Sequence, residues 1–319
     1  MKKYLVLLFS LVLAAALLTG CGEDKPAAAP ATTPPAAQTP APTQTPPPAQ
    51  PPAPTETPAT TEAPAAETPA ASAEIIGHIK VGTTSGSDVE ILEKVIAVAK
   101  SKGLEVELIE FSDYVIPNTA LAAKEIDLNS FQHIQFLEDF VAEKGTKLIS
   151  IGNTYISPIG FFSNKIKSLD ELKDGDTVVI PNDGSNGARS LILLAKAGFI
   201  TLKPEAGLNA TVFDITENRL NLKIVEVEAS QTPAARDDAA IVAINNNFAQ
   251  GVGLNPLTDS IYLESFDSPY VNVIAARPED KDNPLYLKFV ESYQSQEVAD
   301  FIIERFKGAT VPVFDYEKK

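Results

Sequence analysis

The sequence predicts an α/β fold with two lobes, and three observations indicate it. Short β-rich runs alternate with segments of helical periodicity from residue 74 to about residue 314. This alternation favours α/β architecture with largely parallel sheets. The region holds about 240 residues, for which two lobes are more economical than one. Clefts between lobes are where small-molecule sites usually form, so we expect a ligand cleft there.

Local signals support the elements in order along the chain. Residues 79–81 form a β-rich run and residues 82–86 a polar loop, after which apolar side chains recur at helical spacing up to residue 100. Ser87 and Glu90 have the spacing of a capping box, and Gly103 lies just beyond the helix end. Further strands are predicted at residues 106–111, 126–128, 147–151, 177–180, 223–227, 240–244, 260–263 and 271–275. Further helices are predicted at residues 118–123, 131–144, 187–197, 218–222 and 285–307.

The first twenty residues have the features of an export signal. Two lysines at positions 2 and 3 precede an apolar stretch over residues 5–18, which is short for a membrane span of roughly 20 apolar residues. The stretch ends in the sequence LTGC, which resembles a bacterial lipobox whose last residue is Cys21. We predict a lipoprotein signal peptide at residues 1–20 and a lipid on Cys21, against the alternative of an ordinary secretory peptide with an incidental cysteine.

A proline-rich linker follows at residues 21–73. Of the 25 prolines in the chain, 15 lie between Pro26 and Pro69 among Ala, Thr, Gln and Glu. Such a segment buries too little apolar surface to offset its conformational entropy. We predict a tether that holds the folded module away from the membrane on its extracytoplasmic face, with a glycosylated stalk or a wall-spanning segment as alternatives.

Composition excludes several classes of function. The net charge of −16 argues against a nucleic-acid partner, which would require a basic face. One cysteine excludes an intramolecular disulfide framework and a Cys-based zinc site, and two histidines offer little for a metal centre. Hydrolase motifs such as Gly-x-Ser-x-Gly and His-Glu-x-x-His are absent from the sequence. We therefore predict no enzyme activity, no metal and no cofactor.

Arg189 is the first candidate for the binding site. It follows a strand and a polar loop, in what the spacing predicts to be the first turn of a helix that Ser185 or Asn186 caps. A cation there opposes the helix dipole, which favours an anion nearby. A ligand carboxylate would suit the bidentate geometry of the guanidinium. The alternative is a surface arginine that pairs with Asp183 or a neighbouring acid.

Aromatic and amide side chains supply further candidates. Phe131, His133 and Phe136 lie within about a turn and a half of a predicted helix, and Tyr114 ends the strand before it. Such rings suit a polarizable thioether, although each ring alone is more often part of a core. Amides that could bind an amino-acid zwitterion follow or interrupt two predicted strands, namely Asn245, Asn246, Asn247 and Asn272. Turn formation is the alternative, and it is weakest for Asn272 in mid-strand.

Several segments in one order resemble a known family. They are residues 111–118 (FSDYVIPN), 126–133 (IDLNSFQH), 152–155 (GNTY), 166–172 (IKSLDEL), 180–183 (IPND), 214–218 (DITEN) and 268–272 (SPYVN). Together they are similar to the NlpA/MetQ-type lipoproteins, the substrate-binding proteins of methionine ABC importers. The resemblance covers nearly all of the region from residue 79 to about residue 314.

The resemblance implies a type-II periplasmic-binding-protein fold with its ligand cleft between the lobes. Lobe 1 would comprise about residues 74–158 and 276–319, and lobe 2 about residues 159–275 of the module at 74–319. The implied partners are methionine, as the L or D form or both, an ABC permease with its ATPase, and the cell membrane through the lipid. Tyr114, Phe131, His133 and Phe136 would line the side-chain pocket, Arg189 would hold the carboxylate, and Asn247 and Asn272, next to Asn245, would meet the amino and carboxylate groups.

One residue departs from the family pattern, because Phe136 stands where tyrosine is common. The loss of a hydroxyl leaves open another amino acid or a short Met-containing peptide as the ligand. A surface lipoprotein with an adhesive or structural role is the alternative of another class, and the long linker is its only support.

Overall fold

A computed structural model describes residues 74–317, which lie in one compact unit, Glu67–Lys319. The predicted signal peptide, Cys21 and the whole of the predicted linker lie outside the described residues. Within the described residues, no helix is long and apolar enough to cross a membrane.

Strands and helices alternate along the described chain. The strands are β1 (Gly77–Thr84), β2 (Leu104–Phe111), β3 (Leu128–His133), β4 (Ile149–Ile156), β5 (Gly160–Phe162), β6 (Thr177–Pro181), β7 (Ile200–Leu202), β8 (Ile215–Asn218), β9 (Lys223–Val227), β10 (Ile241–Ile244), β11 (Tyr262–Leu263), β12 (Val271–Ala276) and β13 (Val311–Pro312). The helices are α1 (Ser87–Ser101), α2 (Ile116–Ala122), α3 (Ile134–Lys144), α4 (Gly184–Lys196), α5 (Asn246–Gly251), α6 (Pro256–Asp259), α7 (Pro284–Tyr293) and α8 (Gln296–Phe306).

Two main sheets form the two lobes. Lobe 1 contains a six-stranded sheet in the order β13-β4-β12-β3-β1-β2, and lobe 2 a five-stranded sheet in the order β11-β5-β10-β6-β9. The strands β1, β2 and β3 are parallel to one another, as are β6, β9 and β10, but β12, β4, β13, β5 and β11 pair in antiparallel fashion. The α/β class with two lobes is confirmed, whereas the expectation of largely parallel sheets is wrong because both sheets are mixed.

Two short segments connect the sheets, one between β4 and β5 and one between β11 and β12. They hydrogen-bond to each other, because the Glu264 N–H donates to the Ile159 carbonyl at 3.0 Å. Strand β12 pairs with β3 and β4 and therefore belongs to lobe 1. The predicted lobe boundary at residue 275 thus comes too late in the chain, because the second crossing is complete at Val271.

Each lobe has its own apolar core, and a further cluster joins the two. In lobe 1, α1, α7 and α8 cover one face of the sheet, with Val95, Phe289 and Ile302 fully buried. In lobe 2, α4 packs its leucines against β6 and β10. The joining cluster includes Tyr114, Phe131 and Phe136 from lobe 1 and Phe162, Val242 and Phe248 from lobe 2.

Four local predictions are wrong. Helix α1 begins after Gly86 without a side-chain cap, so Ser87 and Glu90 form no capping box. Residues 128–133, predicted to end one strand and begin a helix, form a single buried strand. Residues 218–222 form a strand end and a turn, because Asn221 adopts a left-handed φ of 46°. The predicted helix at 285–307 is two helices, because Ser295 accepts from the Val298 N–H and caps α8.

Candidate functional site

A cavity lies between the lobes, and the empty space within it, including the part that is open to solvent, is about 380 Å³. All eight residues predicted to bind a ligand line it, namely Tyr114, Phe131, His133, Phe136, Arg189, Asn245, Asn247 and Asn272. It is also lined by Asp88, Gln132, Tyr155, Ser157, Asn186 and Asn246. The structure therefore brings the predicted residues together, and their binding of a ligand stays a prediction.

One side of the cavity is a group of aromatic rings. The ring of Tyr114 lies 5.8 Å from both Phe131 and Phe136, and 4.9 Å from Phe248 of lobe 2, measured between centroids. Phe131 and His133 are two residues apart on strand β3, so their side chains point to the same side of the sheet. The strand thus directs both rings to the cavity, where the sequence predicted a frayed helix start.

His133 is neutral and has a defined tautomer. It is the N-cap of α3, and its Nδ1 accepts from the Phe136 N–H at 3.1 Å. Because Nδ1 is an acceptor, the ring proton lies on Nε2, which donates to Asn186 Oδ1 at 3.2 Å. Burial and then the positive charge of Arg189 lower the pKa of His133 to about 3. His133 is consequently an uncharged hydrogen-bonding group at physiological pH.

Asn186 organises the polar side of the cavity. Its Oδ1 accepts from His133 and from Asn245 Nδ2, the latter at 2.8 Å, while its Nδ2 donates to both oxygens of Asp183. Asp183 also caps α4 by accepting from the Asn186 N–H at 2.8 Å. Burial raises the pKa of Asp183. Sequence reasoning named Asn186 only as a possible cap. In the structure its side chain is the hub of a hydrogen-bond network, because it links His133 of β3, Asp183 at the start of α4 and Asn245 at the end of β10.

Replacing Asn186 with alanine is expected to destabilise the protein. The substitution leaves the Nε2–H of His133 and an amide N–H of Asn245 without their acceptor, and each unsatisfied buried donor costs about 1–3 kcal/mol. We expect the free energy of unfolding in urea to fall by about 2 kcal/mol or more. Asn164→Ala is the matched control, because that exposed amide donates only to Asp237 at the surface. Equal losses for the two variants would contradict the assignment of Asn186 as the hub.

Arg189 is buried and ion-paired with Glu264. Its Nε donates to both carboxylate oxygens at 3.0 Å, and its Nη2 donates to Glu264 Oε2 and, at 2.9 Å, to the Ser157 carbonyl. The guanidinium also lies over the Tyr270 ring, 4.4 Å from its centroid. Ser157, Glu264 and Tyr270 all belong to the two segments that cross between the lobes. Arg189 therefore ties α4 to both crossings.

These contacts correct two sequence inferences about Arg189. Helix α4 begins at Gly184 because Asp183 is its N-cap, so Arg189 lies in the second turn and not in the first. The Nε/Nη2 fork, expected to hold a ligand carboxylate, is occupied by Glu264. Among residues 74–317, Nη1 has no hydrogen-bond partner, so this nitrogen is the donor that remains for an anion in the cavity.

The predicted asparagines differ in how many of their side-chain amide atoms remain free to bind a ligand. Asn247 is already engaged by lobe 1, since its Oδ1 accepts from Tyr114 at 2.7 Å and its Nδ2 donates to Thr84 at 3.2 Å. The Oδ1 of Asn245 is buried and has no partner among the described residues. Asn272 lies opposite His133 in the sheet, and within residues 74–317 its amide makes no side-chain hydrogen bond. Asn245 and Asn272 thus offer the free polar atoms.

Asp88 is a second buried carboxyl of the cavity. Its Oδ1 accepts from the Tyr155 hydroxyl at 2.6 Å, and its Oδ2 accepts from the Thr84 hydroxyl at 2.8 Å. Burial raises its pKa to about 7, although the two hydroxyl donors oppose this shift. No group of three or more His, Cys, Asp or Glu side chains suited to a metal ion occurs within the described range.

Sequence reasoning missed Glu264, Asp88, Tyr155 and Tyr270 as residues at or beside the cavity. Glu264 lies 75 residues from Arg189 in the chain, so local spacing gives no signal for the pair. Tyr155 and Tyr270 lie inside two of the segments that resemble the family, residues 152–155 and 268–272, and this resemblance could have indicated them. Asp88 follows a predicted strand and loop, which is a common position for a ligand contact in α/β folds.

Comparisons with known proteins agree with the fold. The chain is 49% identical over 237 residues to the D-methionine-binding lipoprotein MetQ of Salmonella typhimurium, covering 73% of this chain and 88% of that protein. A nutrient-binding protein from Burkholderia cenocepacia, solved bound to methionine, is 49% identical with a TM-score of 0.73 and covers 74% of this chain and 100% of that chain. An ABC transporter periplasmic substrate-binding protein from Coxiella burnetii is 40% identical with a TM-score of 0.71, covering 74% and 100%.

The sequence profile that matches is described as NlpA lipoprotein, and it spans residues 79–314. This range is nearly the whole of the described region and includes every residue predicted to line the ligand cleft. The resemblance drawn from the sequence is confirmed: the chain belongs to the NlpA lipoprotein family.

Proposed function

We propose that this protein is the methionine-binding component of an ABC importer. Its relatives include a D-methionine-binding lipoprotein and a methionine-bound nutrient-binding protein, each 49% identical. Membership in this family identifies the chain as a substrate-binding protein and not an enzyme. The protein would close its lobes around the amino acid and deliver it to a membrane permease driven by a cytoplasmic ATPase.

One observation carries the proposal: the cavity combines an apolar ring cluster with a single free guanidinium nitrogen. Tyr114, Phe131 and Phe136 suit a flexible, polarizable thioether side chain. Arg189 Nη1 would donate a charge-assisted hydrogen bond to the α-carboxylate of the ligand. The unpartnered Oδ1 of Asn245 and the amide of Asn272 would meet the remaining polar atoms of the ligand.

The location of the protein is part of the same proposal. Cys21 would carry the lipid that anchors the chain to the membrane on its extracytoplasmic face, with the linker as the tether. The relatives are themselves named lipoproteins, which supports an anchored location. Release of the protein from membranes by Cys21→Ala would support the anchor, and unchanged membrane association would contradict it.

Mass spectrometry of the ligand released from the purified full chain tests the proposed ligand. We expect methionine to co-purify, and calorimetry on the ligand-free protein to show binding of L-methionine, D-methionine or both. Leucine serves as the matched control, because it has similar bulk but lacks the thioether. Recovery of another amino acid or a short peptide, together with no heat from methionine, would replace the proposed ligand within the same fold.

A further inference from the structure

One buried carboxyl of the cavity lacks a positive counter-charge among the described residues. Arg189 is already neutralised by Glu264, with both side chains buried. Asp88 is buried in the same cavity, and among residues 74–317 it has no ion-pair partner. A buried carboxylate without a counter-charge is unfavourable. The cavity therefore has an anionic position for which the described protein supplies no cation.

The hydrogen bonds around Asp88 all point toward its carboxylate. Tyr114 donates to the Asn247 carbonyl oxygen, Asn247 donates to Thr84, and Thr84 donates to Asp88. Tyr155 donates to the other oxygen from the opposite side. Each group in this chain donates its proton toward Asp88, and both Asp88 oxygens act as acceptors. An ionised carboxylate, which only accepts hydrogen bonds, fits this arrangement. Asp88 also lies in the first turn of α1, where the helix dipole favours a negative charge.

The carboxylate still has room for another donor. Each of its oxygens accepts one hydrogen bond from the protein, whereas a carboxylate oxygen can accept two. An ammonium group offers three N–H donors and one positive charge, so it could fill the free acceptor positions of the carboxylate and also provide the missing counter-charge. Resting on the proposed function, we propose that Asp88 binds the α-ammonium of the ligand and thereby restricts the site to ligands with a free cationic amine.

Most titratable groups around Asp88 have pKa values far from 7, so they do not change charge in the pH range in which Asp88 does. The charged and titratable side chains in and around the cavity include Tyr114, Tyr155, Tyr293, His133, Asp183 and the Arg189–Glu264 ion pair. Burial raises the pKa of each tyrosine, and His133 has a pKa of about 3, so these groups stay neutral between pH 6 and 8. Asp183 also has a raised pKa, and only a substitution at Asp88 distinguishes the two carboxyls.

The sign of the pH dependence follows from this arrangement. Asp88 must be ionised to pair with an ammonium, and its pKa in the free protein is about 7. Below pH 7, binding therefore includes the loss of a proton, and the affinity falls by up to about tenfold per pH unit. Above pH 7, Asp88 is already ionised and the affinity reaches a plateau. Methionine should thus bind more tightly at pH 8 than at pH 6, with release of a proton at pH 6.

Asp88→Asn tests the proposal with two ligands that differ only in the amine. We expect the variant to bind methionine about 10- to 100-fold more weakly at pH 8, because one charge-assisted contact is lost. The amine-free analogue 4-(methylsulfanyl)butanoate should lose less than about threefold, because it never makes that contact. Calorimetry on the full chain gives both affinities, and buffers of different ionisation enthalpy give the proton release, which should vanish in the variant.

Tyr155→Phe provides a second variant that keeps the carboxylate. Loss of one hydroxyl donor raises the pKa of Asp88 further, so the pH midpoint for methionine binding should move upward while the plateau affinity at high pH is largely kept. Equal losses of both ligands in Asp88→Asn, or an unchanged pH profile in both variants, would overturn the assignment of Asp88. If the wild-type protein binds no methionine, the proposed function fails and this inference fails with it.

Discussion

Replacing Arg189 with alanine is expected to remove measurable methionine binding and to destabilise the fold. The ligand carboxylate would lose a charge-assisted hydrogen bond in a dry cavity, which alone weakens binding at least about 10- to 100-fold. The substitution also leaves the Glu264 carboxylate buried without its partner, and breaking such a pair costs about 3–5 kcal/mol. Calorimetry with methionine and denaturant unfolding measure the two effects separately.

A double variant separates binding from folding. Arg189→Met with Glu264→Gln removes both charges and keeps an acceptor for the Ile159 N–H, which donates to the Glu264 carboxylate at 3.4 Å. Because removal of a whole buried ion pair is often neutral, we expect stability close to that of the wild type. Methionine binding should still be lost. Binding by either variant at wild-type affinity would exclude Arg189 from the ligand site.

Gly86→Ala is expected to prevent the lobes from closing and to weaken methionine binding at least about tenfold. Gly86 precedes α1 with φ 96° and ψ −142°, a conformation that only glycine adopts readily. A Cβ there would lie 2.2 Å from the Asn247 carbonyl oxygen, which belongs to the backbone of lobe 2 and cannot rotate away. The contact must therefore separate, and the chain from Tyr114 through Asn247 to Asp88 separates with it. Small-angle X-ray scattering should show that methionine no longer compacts the variant.

Gly253→Ala is a control for the introduction of a side chain at a glycine with positive φ. Gly253 also has a positive φ, 80°, but a Cβ there meets nothing within 4 Å. This variant places a side chain at a positive φ without the contact between lobes, so its affinity for methionine should stay within about threefold of the wild type. If both variants bind methionine as the wild type does, the Gly86 contact has no role in closure.

The sequence allowed the elements with strong local signals to be predicted. Helix α1 and strands β2, β6 and β9 show clear periodicity and lie where we expected them. Strand β3 could not be separated from α3, because its sequence LNSFQH is mostly polar although every residue in it is buried, and it leads directly into the helix. The mixed pairing of the sheets could not be predicted either, because strand direction depends on how distant segments meet. Local patterning contains no such information.

The site was predictable in its residues but not in its connections. Asn272 stood out because a polar group inside an apolar strand is costly if it is buried unpaired. Arg189 stood out because a cation near a helix start opposes the helix dipole, and His133 because aromatic residues lie close to it in the sequence. Glu264 did not stand out, since one acid among many near a chain crossing has no local signature. The hydrogen-bond chain to Asp88 likewise joins four separate elements. Such links depend on tertiary contacts, and they decide which atoms of each predicted residue remain free for a ligand.

The position of β12 in the centre of the first sheet has a consequence for the order of folding. Strands β3 and β4 pair with each other only through β12, which is followed by fewer than fifty further residues of the chain. During synthesis, the strands of lobe 2 emerge before the last strands of lobe 1. We therefore expect lobe 2 to form early as a continuous unit, and lobe 1 to close late through contacts distant in sequence. The cavity, which needs Asn272 on β12, would be the last part of the molecule to assemble.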